Sequence, residues 1–103
     1  MSKRSVDWED GLAKDLRKPG FAQEFIAALI EEGMSLHEAL GTTIRAYGVK
    51  EFAQKVGLPS SNVSRAIQPA YNPSKKVLQQ LLAPFQLRLA VIPDTRDDED
   101  RAA

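Results

Sequence analysis

Glycine and proline divide this chain into short amphipathic segments, and that punctuation constrains its fold more than any other feature. Trp8, Leu12 and Leu16 recur every four residues and predict a first helix, stopped at Lys18-Pro19-Gly20. Phe21, Phe25, Ile26, Leu29 and Ile30 form the apolar stripe of a second helix, which Gly33 ends. Ser35-Leu36-His37-Glu38 has the form of a capping box, in which the serine and glutamate side chains satisfy each other's backbone amides. Leu36, Leu40, Ile44 and Tyr47 carry that third helix to Gly48. Val49, Phe52, Ala53 and Val56 mark a short fourth helix closed by Gly57, and a fifth runs from Ser60 or Ser61 to about Gln68. After the loop Pro69-Ala70-Tyr71-Asn72-Pro73, Ser74 can cap a sixth helix bearing Val77, Leu78, Leu81 and Leu82.

Past Pro84 the period changes. Leu87, Leu89 and Val91 alternate with Arg88, Ala90 and Ile92, which predicts one short strand, Leu87 to Ile92, closed by Pro93. A lone strand leaves its edges unpaired, and the same strand of a second copy would supply the missing partner. The expectation is an all-α domain of five to six helices with one short C-terminal strand over residues 1–93. Residues 94–103 are acidic, lack any apolar anchor, and read as a disordered tail.

A chain of 103 residues has room for one domain and one core. It contains no cysteine, which excludes disulfides and thiolate metal sites. No apolar run approaches the ~20 residues of a membrane span, and the N-terminus lacks the apolar stretch of a signal peptide; a cytoplasmic protein is the default expectation. No phosphate-cradling glycine loop, nucleophile elbow or metal-ligand spacing occurs, so no cofactor and no catalysis are expected. His37, the only histidine, lies within the capping box and reads as a half-exposed helical residue.

The formal net charge of zero hides a segregation. Residues 1–48 hold six Lys/Arg against eight Asp/Glu, whereas residues 49–80 hold Lys50, Lys55, Arg65, Lys75 and Lys76 against Glu51 alone. One basic block of this kind is the electrostatic footprint expected of a nucleic-acid contact. The same block carries Phe52-Ala53-Gln54-Lys55-Val56-Gly57-Leu58-Pro59-Ser60-Ser61-Asn62-Val63-Ser64-Arg65-Ala66-Ile67, which fits a helix-turn-helix over about 49–68. Ala53 is small where the second helix must cross tightly, Gly57 suits a left-handed turn, and Leu58 plugs the corner. Val63 and Ile67 point to the core, leaving Ser60, Ser61, Asn62, Ser64, Arg65 and Gln68 on the outer face. Arg65 can bond bidentately to guanine, and Asn62 or Gln68 to adenine, each worth ~1–3 kcal/mol of discrimination. The short serines let the backbone approach base edges or phosphate. Lys75 and Lys76 fall in the first turn of a helix, where the macrodipole disfavours cations by a few tenths to ~1 kcal/mol unless they meet an anion. With Lys55 and Ser74 they are the candidate phosphate contacts.

From about residue 16 to residue 93 the chain resembles the Xre-like, lambda-repressor-type helix-turn-helix proteins. It is most similar to the addiction module antidote antitoxins of HigB–HigA-type pairs. The residues that carry the resemblance are FAQEFIAALIEEG at 21–33, FAQKVGLPSSNVSR at 52–65, Asn72-Pro73-Ser74, Val77-Leu78 and Leu87-Arg88-Leu89. The resemblance implies a five-helix DNA-binding core and a homodimer on a double-stranded operator with two half-sites. It also implies autorepression of a two-gene operon whose other product is a ribonuclease toxin. Two departures stand out: Ala83-Pro84-Phe85-Gln86 replaces an Ala-Leu-Gly before the strand, and Pro59 replaces a capping Ser or Thr, a role Ser60 could assume. A stand-alone phage-type or chromosomal regulator, and a protein-interaction module that has lost DNA binding, remain the alternatives.

Overall fold

A computed structural model describes residues 11–94, all of whose regular structure is helical. Helix α1 is described over residues 11–15, and α2 spans Pro19–Glu31, α3 Leu36–Tyr47, α4 Val49–Val56, α5 Ser60–Ala66 and α6 Lys75–Leu82. A 3-10 turn, Ala83–Phe85, follows α6. Trp8 and the acidic tail beyond Asp94 lie outside the described residues. No helix among the described residues is long and apolar enough to cross a membrane.

Local chemistry sets most of the helix limits. Lys18 is extended, as a residue before proline prefers, and Pro19 occupies the first turn of α2, where its missing N–H removes no bond. The second helix therefore starts at the proline expected to end the first. The capping box of α3 is complete: Ser35 Oγ accepts from the Glu38 amide at 3.1 Å, and Glu38 Oε1 accepts from the Ser35 amide at 3.2 Å. Gly33, Gly48 and Gly57 all have positive φ at the ends of α2, α3 and α4, conformations that favour a residue without Cβ. Ser74 caps α6 through the Val77 amide at 3.2 Å.

The helices enclose one core, with Leu16, Ala22, Ile26, Leu40, Ile44, Phe52, Val63, Leu81 and Leu82 all buried. Its centre is aromatic. Phe85 stacks on Phe52 with ring centroids 5.4 Å apart, and Tyr47 meets both edge-on at 5.5 and 6.2 Å. The 3-10 turn thus delivers a ring that joins α3, α4 and α6, and its Phe85 carbonyl accepts from Gln23 of α2 at 3.0 Å. In the pattern of the sequence this tetrapeptide is only an interruption between helix and strand. No glycine is available to close it, so Gln86 takes the left-handed conformation itself, with φ 57°.

Three expectations need correction. Residues 87–94 form no strand: a strand exists only within a ladder, and no second strand lies among the described residues. Leu87 and Leu89 instead pack partly buried against the core, and the Leu89 amide donates to Gln79 Oε1 at 2.8 Å. Val91 and Ile92 are 100% and 79% exposed. The fifth helix ends at Ala66, so Gln68 sits in the turn beyond it. Its N-cap is Pro59, with no side-chain bond; Ser60 is already the first helical residue and cannot cap.

Candidate nucleic-acid interface

Helices α4 and α5 are joined by Gly57-Leu58-Pro59. Gly57 is left-handed, φ 76° and ψ 30°, and the amides of Gly57 and Leu58 both return to the Ala53 carbonyl, at 2.9 and 3.1 Å. The Pro59 carbonyl then accepts from the Asn62 and Val63 amides, opening α5. Ala53 is buried beneath the turn and Leu58 half-buried at its corner. This compact unit splits α5 into two faces. Val63, Ala66 and Ile67 are buried, while Ser60, Ser61, Asn62, Ser64, Arg65 and Gln68 are all exposed.

The cations flank this surface with no ion-pair partner among the described residues. Lys55 lies in the last turn of α4, and Lys75 and Lys76 begin α6, whose first turn contains no acid. Among the described residues no carboxylate lies within ion-pair distance of Lys55, Arg65, Lys75 or Lys76; the ion pair found there is Lys18–Asp15 at 3.9 Å. Ser74 Oγ is occupied as the α6 cap, leaving only its hydroxyl proton to offer an anion.

A groove of about 150 Å³ brings part of the candidate set together. Asn62 and Arg65 line it from α5, and Gln80 from α6, with Tyr71 at the loop between them and Val63, Val77 and Leu81 as the apolar floor. Gln80 was not legible as a site residue, because nothing in its local spacing marks which side of α6 meets α5. Lys55 lies outside this groove.

The far end of α5 holds a second cluster. His37 Nε2 lies 2.7 Å from the Ala66 carbonyl oxygen, and Arg45 Nη2 donates to the Ile67 carbonyl at 3.0 Å. His37 is half-buried by this contact rather than merely half-exposed on a helix. The spacing His37, Gly41, Arg45, four residues apart on one helical face, is the signal that could have found it. No protein-family model, no curated protein and no solved structure matches this chain.

Proposed function

We propose that the chain is a homodimeric, sequence-specific repressor that binds double-stranded DNA through α5, and that it serves as the antitoxin of a toxin–antitoxin operon regulating its own promoter. The observation that carries DNA binding is the division of α5 and the turn after it into a sealed apolar face and six exposed polar side chains. Lysines on the neighbouring helices with no ion-pair partner among the described residues add to it. Arg65, Asn62 and Gln68 would read base edges with Ser60, Ser61 and Ser64 beside them, and Lys55, Ser74, Lys75 and Lys76 would hold phosphates. The antitoxin role, with a ribonuclease toxin as second partner, follows from the resemblance. For the dimer, the exposed Val91 and Ile92 support pairing of the 87–92 segments of two copies, where a ladder absent among the described residues of one chain could form between two.

Because the outer face carries three serines and one arginine, base readout is sparse and the lysines supply much of the affinity. The experiment is selection of a duplex from a randomised library, followed by footprinting with a size measurement. Two protected half-sites about 10 base pairs apart are expected for a two-fold dimer. Arg65→Ala should cost about 1–3 kcal/mol on the selected duplex and relax one base position, whereas Lys75→Ala should weaken all duplexes alike and flatten the salt slope by about one unit. No enriched duplex, or binding indifferent to salt, would refute DNA recognition. For the antitoxin role, the gene's immediate neighbour should encode a ribonuclease that this chain inhibits.

A further inference from the structure

Helix α5 is poorly equipped to hold its own geometry. Its seven residues include three serines and an asparagine, side chains that compete for backbone bonds and favour caps and turns. Helices shorter than about 12–15 residues are marginal in isolation even when alanine-rich, and α5 has no side-chain cap at its N-terminus. What fixes its direction must come from other elements.

The last carbonyls of a helix have no partner within it. In α5 those of Val63 and Arg65 are taken by the amides of Ile67 and Gln68, both at 3.2 Å. Those of Ala66 and Ile67 are taken by α3, through His37 at 2.7 Å and Arg45 at 3.0 Å. A carbonyl has no proton to give, so His37 donates from Nε2. Gly41 lies between the two donors, and a Cβ there would stand 3.2 Å from the Ile67 carbonyl oxygen and 3.3 Å from Arg45 Nη1. The missing side chain is what lets the end of α5 come this close to α3.

Building on the DNA-binding reading above, we propose that His37 and Arg45 are positioning residues for the base-reading helix. They set sequence selectivity through α5 rather than through contact with bases. The two parts of DNA recognition respond differently to a small rotation of α5. Bidentate bonds to base edges weaken steeply with angle and distance, whereas attraction between lysine and phosphate varies slowly with separation. Lys75 and Lys76 belong to α6, which is held by its own serine cap and by buried Leu81 and Leu82. Loosening the clasp on α5 therefore degrades readout and leaves the phosphate contacts in place.

The test uses the full chain, a duplex enriched by the wild-type protein from a randomised library, and an unrelated duplex of equal length. Affinities for both are measured at one salt concentration for wild type, His37→Ala, Arg45→Met and the double variant. Amide exchange over residues 61–68 is followed in the same proteins without DNA. With both hydrogen bonds lost, the affinity ratio should fall about tenfold in the double variant. Affinity for the unrelated duplex and its salt slope should stay, and α5 amides should exchange faster while those of α2 do not. His37→Gln, whose terminal amide can reach the same carbonyl, should retain most of the ratio. Equal loss on both duplexes, or an unchanged ratio whether or not exchange quickens, would overturn the proposal. If the wild-type protein enriches no duplex, DNA recognition fails on its own. The clasp is then decided by exchange alone, and is wrong if α5 is unaffected.

Discussion

Replacing Phe85 with alanine should bring this fold close to its stability limit. The ring is 1% exposed and lies 5.4 Å from Phe52 and 6.2 Å from Tyr47. Truncating a buried phenylalanine costs about 3–5 kcal/mol, the spread reflecting how far the site collapses. Two aromatic pairs are lost with it, each worth ~0.5–1.5 kcal/mol beyond area burial, and this favours the upper part of that range. Collapse is resisted because the Tyr47–Phe52 pair, at 5.5 Å, stays in place on α3 and α4. The bond from Gln23 ends on the main-chain carbonyl of residue 85 and survives the substitution. A loss of roughly 4–5 kcal/mol compares with a total stability of about 5–15 kcal/mol for a chain of this length. At ~4–8 °C per kcal/mol for a small domain, the midpoint should drop by roughly 20 °C or more. Urea and thermal unfolding followed by far-ultraviolet circular dichroism would measure it, with Phe85→Leu as a milder variant that keeps apolar volume at the site. A cost for Phe85→Ala below about 1.5 kcal/mol, at unchanged denaturant dependence, would refute the claim that this ring joins the helices.

Two further stability predictions follow from local geometry. Gln86→Gly relieves a left-handed strain of ~1–2 kcal/mol against an added chain-entropy cost of ~0.5–1 kcal/mol, so it should stabilise the fold slightly; a lower unfolding midpoint would contradict this. The Ser35 amide and then the Ser35 hydroxyl hold the Glu38 carboxyl below its ordinary pKa. Its contribution is therefore present above the unfolded value of about 4.3 and is lost as pH falls through the lower folded value. Glu38→Gln should make stability less sensitive to pH over that acid range, and superimposable pH profiles for the two proteins would show the carboxylate to be idle.

The helix boundaries were legible because they depend on contacts within a few residues. A glycine that must be left-handed, a serine three residues before a glutamate and a proline in a first turn all declare themselves locally. Gly33, Gly48, Gly57, Ser35 and Ser74 act as their neighbours suggest. The two faces of α5 were equally readable, since helical periodicity assigns Val63 and Ile67 to one side and the serines, Asn62 and Arg65 to the other. The end of α5 was less so: Gln68 fits the periodicity but lies past the last helical turn, because Ile67 closes the helix with bonds to α3 in reach.

What the chain's own order could not reveal are the pairings between distant segments. Phe85 meets Gln23 across 62 positions, and His37 and Arg45 reach Ala66 and Ile67 across 29 and 22. No periodicity records such distances. The alternation after Pro84 pointed to a strand, yet alternation specifies only which side chains share a side. Whether a ladder forms depends on a second edge, and the described residues offer none, so Leu87 and Leu89 settle on the core instead. By itself the sequence determined most helix limits and which chemistry α5 exposes, because those are questions of short range. Tertiary structure alone decided that Phe85 closes the core, that Asn62 and Arg65 share a groove with Tyr71 and Gln80, and that α3 grips the end of α5. Each of these depends on surfaces that meet only after the chain has folded.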